Sequence, residues 1–122
     1  SNTHKGHYGH LLIIAGSEGK TGAACLVGEG ALRIGTGLVT VATPESCNHI
    51  LEGKPALAIG PGLSLNSQTQ YYIQQTVSTS TLPTIIDADG LNAFAECPDK
   101  LTGKGKSLVI TPHPGEMARL VK

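Results

Sequence analysis

The chain has no tryptophan, one phenylalanine, one methionine and three tyrosines among 122 residues, so no large aromatic cluster is available to build a core or a stacking surface for nucleic-acid bases. Lysine plus arginine number nine, aspartate plus glutamate nine, and neither sign forms a run. That balance excludes a basic groove for nucleic acid or an anionic membrane surface and leaves a small molecule as the expected partner. Long apolar runs are also missing: the longest aliphatic stretch, "LLIIA" at 11–15, is far short of the roughly 20 residues that span a bilayer. Cys25, Cys47 and Cys97 are odd in number and widely spaced. With no CxxC pair and no leader-like stretch, they are expected to be reduced thiols of a cytoplasmic protein, not a disulfide framework or a structural zinc site.

What is present is aliphatic and glycine-rich. Hydrophobic residues make up 39% and glycines number sixteen, which predicts an aliphatic core with tight connections. A chain of this length fits one domain, residues 1–122, burying roughly two thirds of its unfolded surface. Five short runs read as strands: "HLLIIA" (10–15), "GLVTVA" (37–42), "PALAIG" (55–60), "PTIIDA" (83–88) and "SLVIT" (107–111). Each is apolar on both faces, as strands buried between two layers should be.

Between them lie helical patterns. Over 22–34, Ala23, Leu26, Val27, Gly30, Ala31 and Ile34 recur at helical spacing, with Thr21 placed to cap the start. Tyr72, Ile73 and Val77 give 66–80 a narrow apolar stripe, and 90–96 and 114–122 read as further helices. Alternating strands and helices predict right-handed crossovers, a largely parallel sheet and ligands at the carboxyl ends of the strands.

Those strand ends carry the informative loops. "AGSEGKTGAA" mimics a phosphate-binding loop at Gly19-Lys20-Thr21, but the opening glycine would have to replace Ile14 inside the strand, and Gly16 leaves a loop two residues too short. A capped turn and a backbone binding role both remain open there. His4, His7 and His10 in "HKGHYGH" invite a zinc reading, yet a catalytic metal needs rigid supporting partners, and a solvated or substrate-facing basic loop is the better expectation. The glycines of "IGPGLS" (59–64) either form a plain turn or let backbone amides approach a ligand. In "IIDADGLNAF", Asp89 is expected to cap a helix starting at Gly90, while Asp87 is open between a structural role and a functional one. In "TPHPGE" (111–116), Pro114 fits the first helical position, His113 the cap and Glu116 the third position. Structure alone explains all but His113, since Ser, Thr, Asp or Asn would cap better.

Taken together, "THKGHYGHLLIIAGS", "GAACLVGEGALRIGTGLVTVATPE", "AIGPGLS", "IIDADGLNAF" and "VITPHPGEMARLV" resemble, in order, the carbohydrate-kinase-like domain of the ATP- or ADP-dependent NAD(P)H-hydrate dehydratases of the ribokinase-like superfamily. The resemblance covers most of the chain. It implies a three-layer α/β sandwich with a largely parallel sheet, and a repair reaction in which a nucleotide with Mg²⁺ phosphorylates the hydroxyl of hydrated NADH or NADPH and loss of phosphate restores the ring. It also implies hydrate contacts at Ala23, Gly62 and His113, weaker polar contacts at Asp87 and Asn92, and a homo-oligomer. Two departures stand out. The family's nucleotide-binding lysine segment and "GSGD"-type loop with its catalytic aspartate have no counterpart, so a truncated, substrate-side part is expected, inactive alone. A segment of strand and loop is also expected to be missing between 50 and 51. A vitamin-precursor or sugar kinase of the same superfamily, or a non-catalytic nucleotide-binding or assembly module, are the alternatives.

Overall fold

A computed structural model describes residues 9–44, 51 and 53–122. Its elements run β1 (His10–Ile14), α1 (Thr21–Arg33), β2 (Leu38–Ala42), β3 (Ala56–Ile59), α2 (Ser67–Thr79), β4 (Thr84–Ile86), α3 (Asp89–Asn92), a 3-10 turn (Pro98–Lys100), β5 (Leu108–Ile110) and α4 (Pro114–Leu120). All five strands pair in parallel in the order β2-β1-β3-β4-β5. The expected α/β architecture is therefore present: one sheet between α1 on one face and α2, α3 and α4 on the other, three layers in all.

The register explains why the strand sequences are apolar throughout. Leu12 and Ile14 of β1, Leu57 and Ile59 of β3 and Ile86 of β4 point to one face, where they meet Ile73 and Val77 of α2, Leu91 of α3, Phe94 in the turn after α3, and Leu120 of α4. Ile13 and Ala15, on the alternate positions, meet Ala31 of α1 with Ala24 and Val27 at its margin. Period-two alternation across a sheet with helices on both sides needs apolar residues at every strand position.

Three local expectations are corrected. Thr21 does not cap α1; it is the first helical residue, Lys20 occupies the cap, and no side chain bonds there. The stripe expected from Leu26 and Ile34 is also displaced. The buried residues of α1 are Gly28 and Ala31, while Leu26 is 72% and Ile34 87% exposed, because α1 rests on the small β1–β2 patch and Ile34 already lies past its last turn. Asp89 is not a cap either: α3 begins at Asp89 itself and its cap position, Ala88, makes no side-chain bond. The α2 stripe stands, with Ile73 and Val77 fully buried and Asn66 capping through the amides of Gln68 and Thr69 at 2.8 and 3.4 Å. At its other end, the Lys106 ammonium donates to the carbonyls of Val77 and Ser80, satisfying acceptors left open where α2 stops. Burial lowers the pKa of Lys106 from the usual lysine value. His4, His7 and the junction at 50–51 lie outside the described residues.

Candidate functional site at the carboxyl edge of the sheet

The loops after β1, β3, β4 and β5 line one edge of the sheet, and the first three interlock through glycine. After β1, the amide of Gly16 donates to the carbonyl of Pro61 at 2.8 Å and the hydroxyl of Ser17 to that of Gly62 at 2.7 Å. Gly62 has φ +70°, and a Cβ there would stand 2.8 Å from that of Ala23 and 3.2 Å from the carbonyl oxygen of Lys20. The structure thus brings Ala23 and Gly62 into direct contact and gives Gly62 a packing reason. On its other flank, a Cβ on Gly60 would fall 1.8 Å from the carbonyl oxygen of Asp87, and one on Gly90 2.8 Å from that of Ile59. No side chain fits at these two positions, so the backbones of the β3 and β4 loops approach as only glycine allows.

A chain of polar contacts extends this ledge toward α4. The Asp89 carboxylate accepts from the amide of Ser64 at 2.8 Å and from the Asn92 side chain at 3.4 Å, tying the β3 loop to α3. The Asn92 side-chain oxygen accepts from Nε of Arg119 at 3.0 Å. Both ends of the Asn92 amide are engaged within the protein. This pair borders a cleft of about 470 Å³ that also includes Leu65, Gln70, Gln74 and Glu96. Asp87, at the end of β4, accepts from the Thr111 hydroxyl at 2.8 Å, joining the β4 and β5 ends.

His113 caps α4 as the spacing of Pro114 and Glu116 predicts. Its Nδ1 accepts from the amides of Gly115 and Glu116 at 3.0 and 3.3 Å, while the Glu116 carboxylate accepts from the His113 amide at 3.0 Å, completing a capping box. Two N–H groups aimed at Nδ1 require that nitrogen to be unprotonated in the neutral ring, which leaves the proton on Nε2. That nitrogen lies 3.2 Å from the second oxygen of Glu116, whose side chain is 8% exposed against 63% for His113. A buried carboxylate therefore fixes both the backbone and the ring, while the imidazole keeps most of its surface open.

The candidate residues form two groups on this edge. Ala23 and Gly62 meet at β1 and β3; Asp87, Asn92 and His113 belong to β4, β5 and their helices. From β1 to β5 is three strand spacings, about 14 Å, so only an extended ligand reaches both. Ser17, Ser64, Thr111 and Arg119 were not singled out from the sequence. Thr111 opens the "TPHPGE" stretch and had a positional signal, whereas the other three act through loop and helix contacts that no local pattern reveals. His10 is remote from this edge, at the start of β1, with Nε2 2.6 Å from the Thr40 hydroxyl.

The family model described as NAD(P)H-hydrate dehydratase matches residues 11–55 and 45–122. The bifunctional NAD(P)H-hydrate repair enzyme of Moorella thermoacetica is 39% identical over 150 residues, covering 97% of this chain and 28% of the enzyme. The ADP-dependent (S)-NAD(P)H-hydrate dehydratase of Bacillus subtilis is 33% identical over 143 residues, covering 98% of this chain and 50% of the enzyme. Among solved structures, the ADP/ATP-dependent dehydratase of Bacillus subtilis, co-crystallised with ATP and Mg²⁺, superposes with a TM-score of 0.73 at 31% identity over 98% of this chain and 50% of its own. A ribokinase-like superfamily protein of Enterococcus faecalis superposes with a TM-score of 0.84 at 22% identity, again over 98% and 50%, a likeness of fold. The chain spans half or less of the length of these relatives. With its ordered loop motifs on a parallel five-stranded sheet and the family model matching nearly all of it, the chain belongs to the NAD(P)H-hydrate dehydratase family, on a ribokinase-like fold.

Proposed function

We infer that this chain supplies the substrate-binding half of an ATP- or ADP-dependent dehydratase that returns hydrated NADH or NADPH to the reduced dinucleotide. The observation that carries the reading is the ledge at the carboxyl edge, where Ala23 packs on Gly62 and an exposed imidazole stands three strands away in a fixed tautomer. One helix start contributes about 0.3–1 kcal/mol to binding an anion, whereas micromolar affinity needs about 8 kcal/mol, so several loops must act together. The flat Ala23–Gly62 surface suits a ring or ribose, and the imidazole of His113, 63% exposed, is the polar group for a hydroxyl or phosphate oxygen. Asp87 and Asn92 serve the site by holding the β4, β5 and α4 elements in place.

The donor nucleotide and its Mg²⁺ belong to the rest of the site. Phosphoryl transfer depends on positioning and on stabilising charge, and the loop expected to do both has no counterpart in this sequence. A cytoplasmic location agrees with the nicotinamide substrate; no helix among the described residues is long and apolar enough to cross a membrane.

Calorimetric titration of this chain with hydrated NADH tests the reading. Heat of binding that disappears in Gly62→Val is expected. The chain mixed with the complementary half of the Bacillus subtilis enzyme, ATP and Mg²⁺ should restore the absorbance of reduced nicotinamide. Absence of both binding and recovery would overturn the assignment, and a stable phosphorylated thiazole or pyrimidine alcohol in the same mixture would replace it with a kinase.

A further inference from the structure

Arg119 is an exposed arginine held in one orientation while most of its donors stay open. Side chains on a helix lean toward its N-terminus and cover the turn before them, and Arg119 accordingly reaches back over Gly115, one turn earlier in α4. Its Nε donates to the side-chain oxygen of Asn92 at 3.0 Å, and the Asn92 amide is held in turn by the Asp89 carboxylate at 3.4 Å. That uses one of the five N–H groups of the guanidinium. The four on Nη1 and Nη2 have no hydrogen-bond or ion-pair partner among the described residues. A guanidinium pinned at Nε with its outer nitrogens open is arranged for two parallel bonds to a phosphate, with little freedom left to lose on binding.

Gly115 connects this group to His113. A Cβ there would stand 3.0 Å from Cε1 of His113 and 3.9 Å from Nη1 of Arg119. The imidazole and the guanidinium therefore flank one space over Gly115 that the missing side chain leaves open. On its other side Arg119 lines the cleft of about 470 Å³ between α2, α3 and α4, a volume in the range of small-ligand clefts. Gln74, in the same cleft, donates through Nε2 to the carbonyl of Ala93 at 2.6 Å, which leaves its Oε1 as an acceptor. Leu65 is 61% exposed there, and Glu96 is an exposed carboxylate with no ion-pair partner among the described residues. Guanidinium, carboxylate, amide oxygen and apolar surface in one cleft match, in turn, the phosphates, ribose hydroxyls, base amino group and base face of a nucleotide.

We propose that this cleft is the subsite for the adenosine diphosphate end of the hydrated dinucleotide, with Arg119 and His113 on the diphosphate, Glu96 on the ribose hydroxyls, and Gln74 and Leu65 on the base. The inference rests on the substrate proposed above and adds where its far half lies. The extended shape of that substrate supports it. A ligand seated on both the Ala23–Gly62 contact and His113 runs along the strand ends toward α4, and the cleft opens beside Arg119 at the end of that path. Asn92 is a positioning residue in this arrangement: it touches the guanidinium, and the guanidinium touches the ligand.

Calorimetric titration of the intact chain with ADP-ribose, which is the substrate without its nicotinamide ring, tests the subsite. The wild type should bind it. Arg119→Met, at an exposed position and with an unchanged circular dichroism spectrum, should weaken binding about tenfold. Arg119→Lys, which keeps the charge without the fork, should recover only part of the loss. Glu96→Gln should weaken binding several-fold, and Arg33→Met, on α1, should leave it unchanged. Absence of ADP-ribose binding overturns the proposal, as does binding indifferent to Arg119→Met. Inorganic pyrophosphate binding as tightly as ADP-ribose also overturns it, since the site would then hold an anion without reading a nucleotide. Hydrated NADH separates this inference from the reading beneath it. If the wild type and Arg119→Met bind the hydrate equally, the subsite is wrong and the substrate stands; if ADP-ribose binds and the hydrate does not, the substrate is wrong and a nucleotide cleft stands.

Discussion

The two faces of the sheet differ in completeness. On the face that holds Leu12, Leu57, Ile59 and Ile86, these side chains are at most 1% exposed under α2, α3 and α4. On the other, α1 covers Ile13 and Ala15, but Val41, Ile85 and Val109, which share that face by register, are 44, 44 and 52% exposed. Equal hydrophobicity in the strands therefore does not mean equal burial. One layer carries most of the cohesion of this chain, and the other is only partly covered by the described residues.

Substitutions separate the faces sharply. Phe94→Ala, in the closed layer, should cost about 3–5 kcal/mol in denaturant unfolding, whereas Ile85→Ala and Val109→Ala should each cost less than about 1 kcal/mol. Equal losses would refute the contrast. Next in size is Gly60→Ala, where a methyl group meets the carbonyl of Asp87 at a φ of +137°; overlap and strain together predict about 2–4 kcal/mol. Gly19→Ala, with nothing within 4 Å, isolates the conformational part of that cost.

Lys106→Met removes the two carbonyl contacts at the end of α2 and should cost about 1–2 kcal/mol. It also predicts a sign: the folded pKa of Lys106 is lowered, so just below the ordinary lysine value the unfolded chain binds more protons and stability rises with pH. That rise should vanish in the variant when unfolding is followed across alkaline pH. The smallest expected effect comes from His113→Asn, which retains a capping side chain and should change stability by less than about 0.5 kcal/mol, while His113→Ala loses about 1 kcal/mol. If the imidazole contacts the hydrate, both variants should weaken its binding in calorimetry. A full loss of binding only in His113→Ala would assign the residue to capping alone.

These contrasts also mark what the sequence can convey. All five strands end within two residues of where their apolar runs end, because a strand covered on both faces is legible as continuous hydrophobicity. His113 as cap and Pro114 as first helical residue follow from spacing, which is local information. Asp89 was misread because an aspartate before a glycine fits a cap, whereas its actual partner is an amide twenty-five residues away. Leu26 and Ile34 were misread because helical periodicity identifies an apolar face without saying whether a neighbour exists to cover it. In the candidate site, Gly62 was singled out as a glycine near a ligand, but its contact with Ala23 depends on two loops meeting, which only the folded chain reveals.

The glycine interlock also bears on the order of assembly. Residues 16–23, 60–64 and 87–90 reach one another only when β1, β3 and β4 are paired in their final register, since each loop is held by the strand before it. Contacts of such long sequence separation form late, after the entropy of two crossovers has been lost. A partly folded chain then has no ledge at all, and the ledge arises together with the last native pairing instead of growing gradually with it.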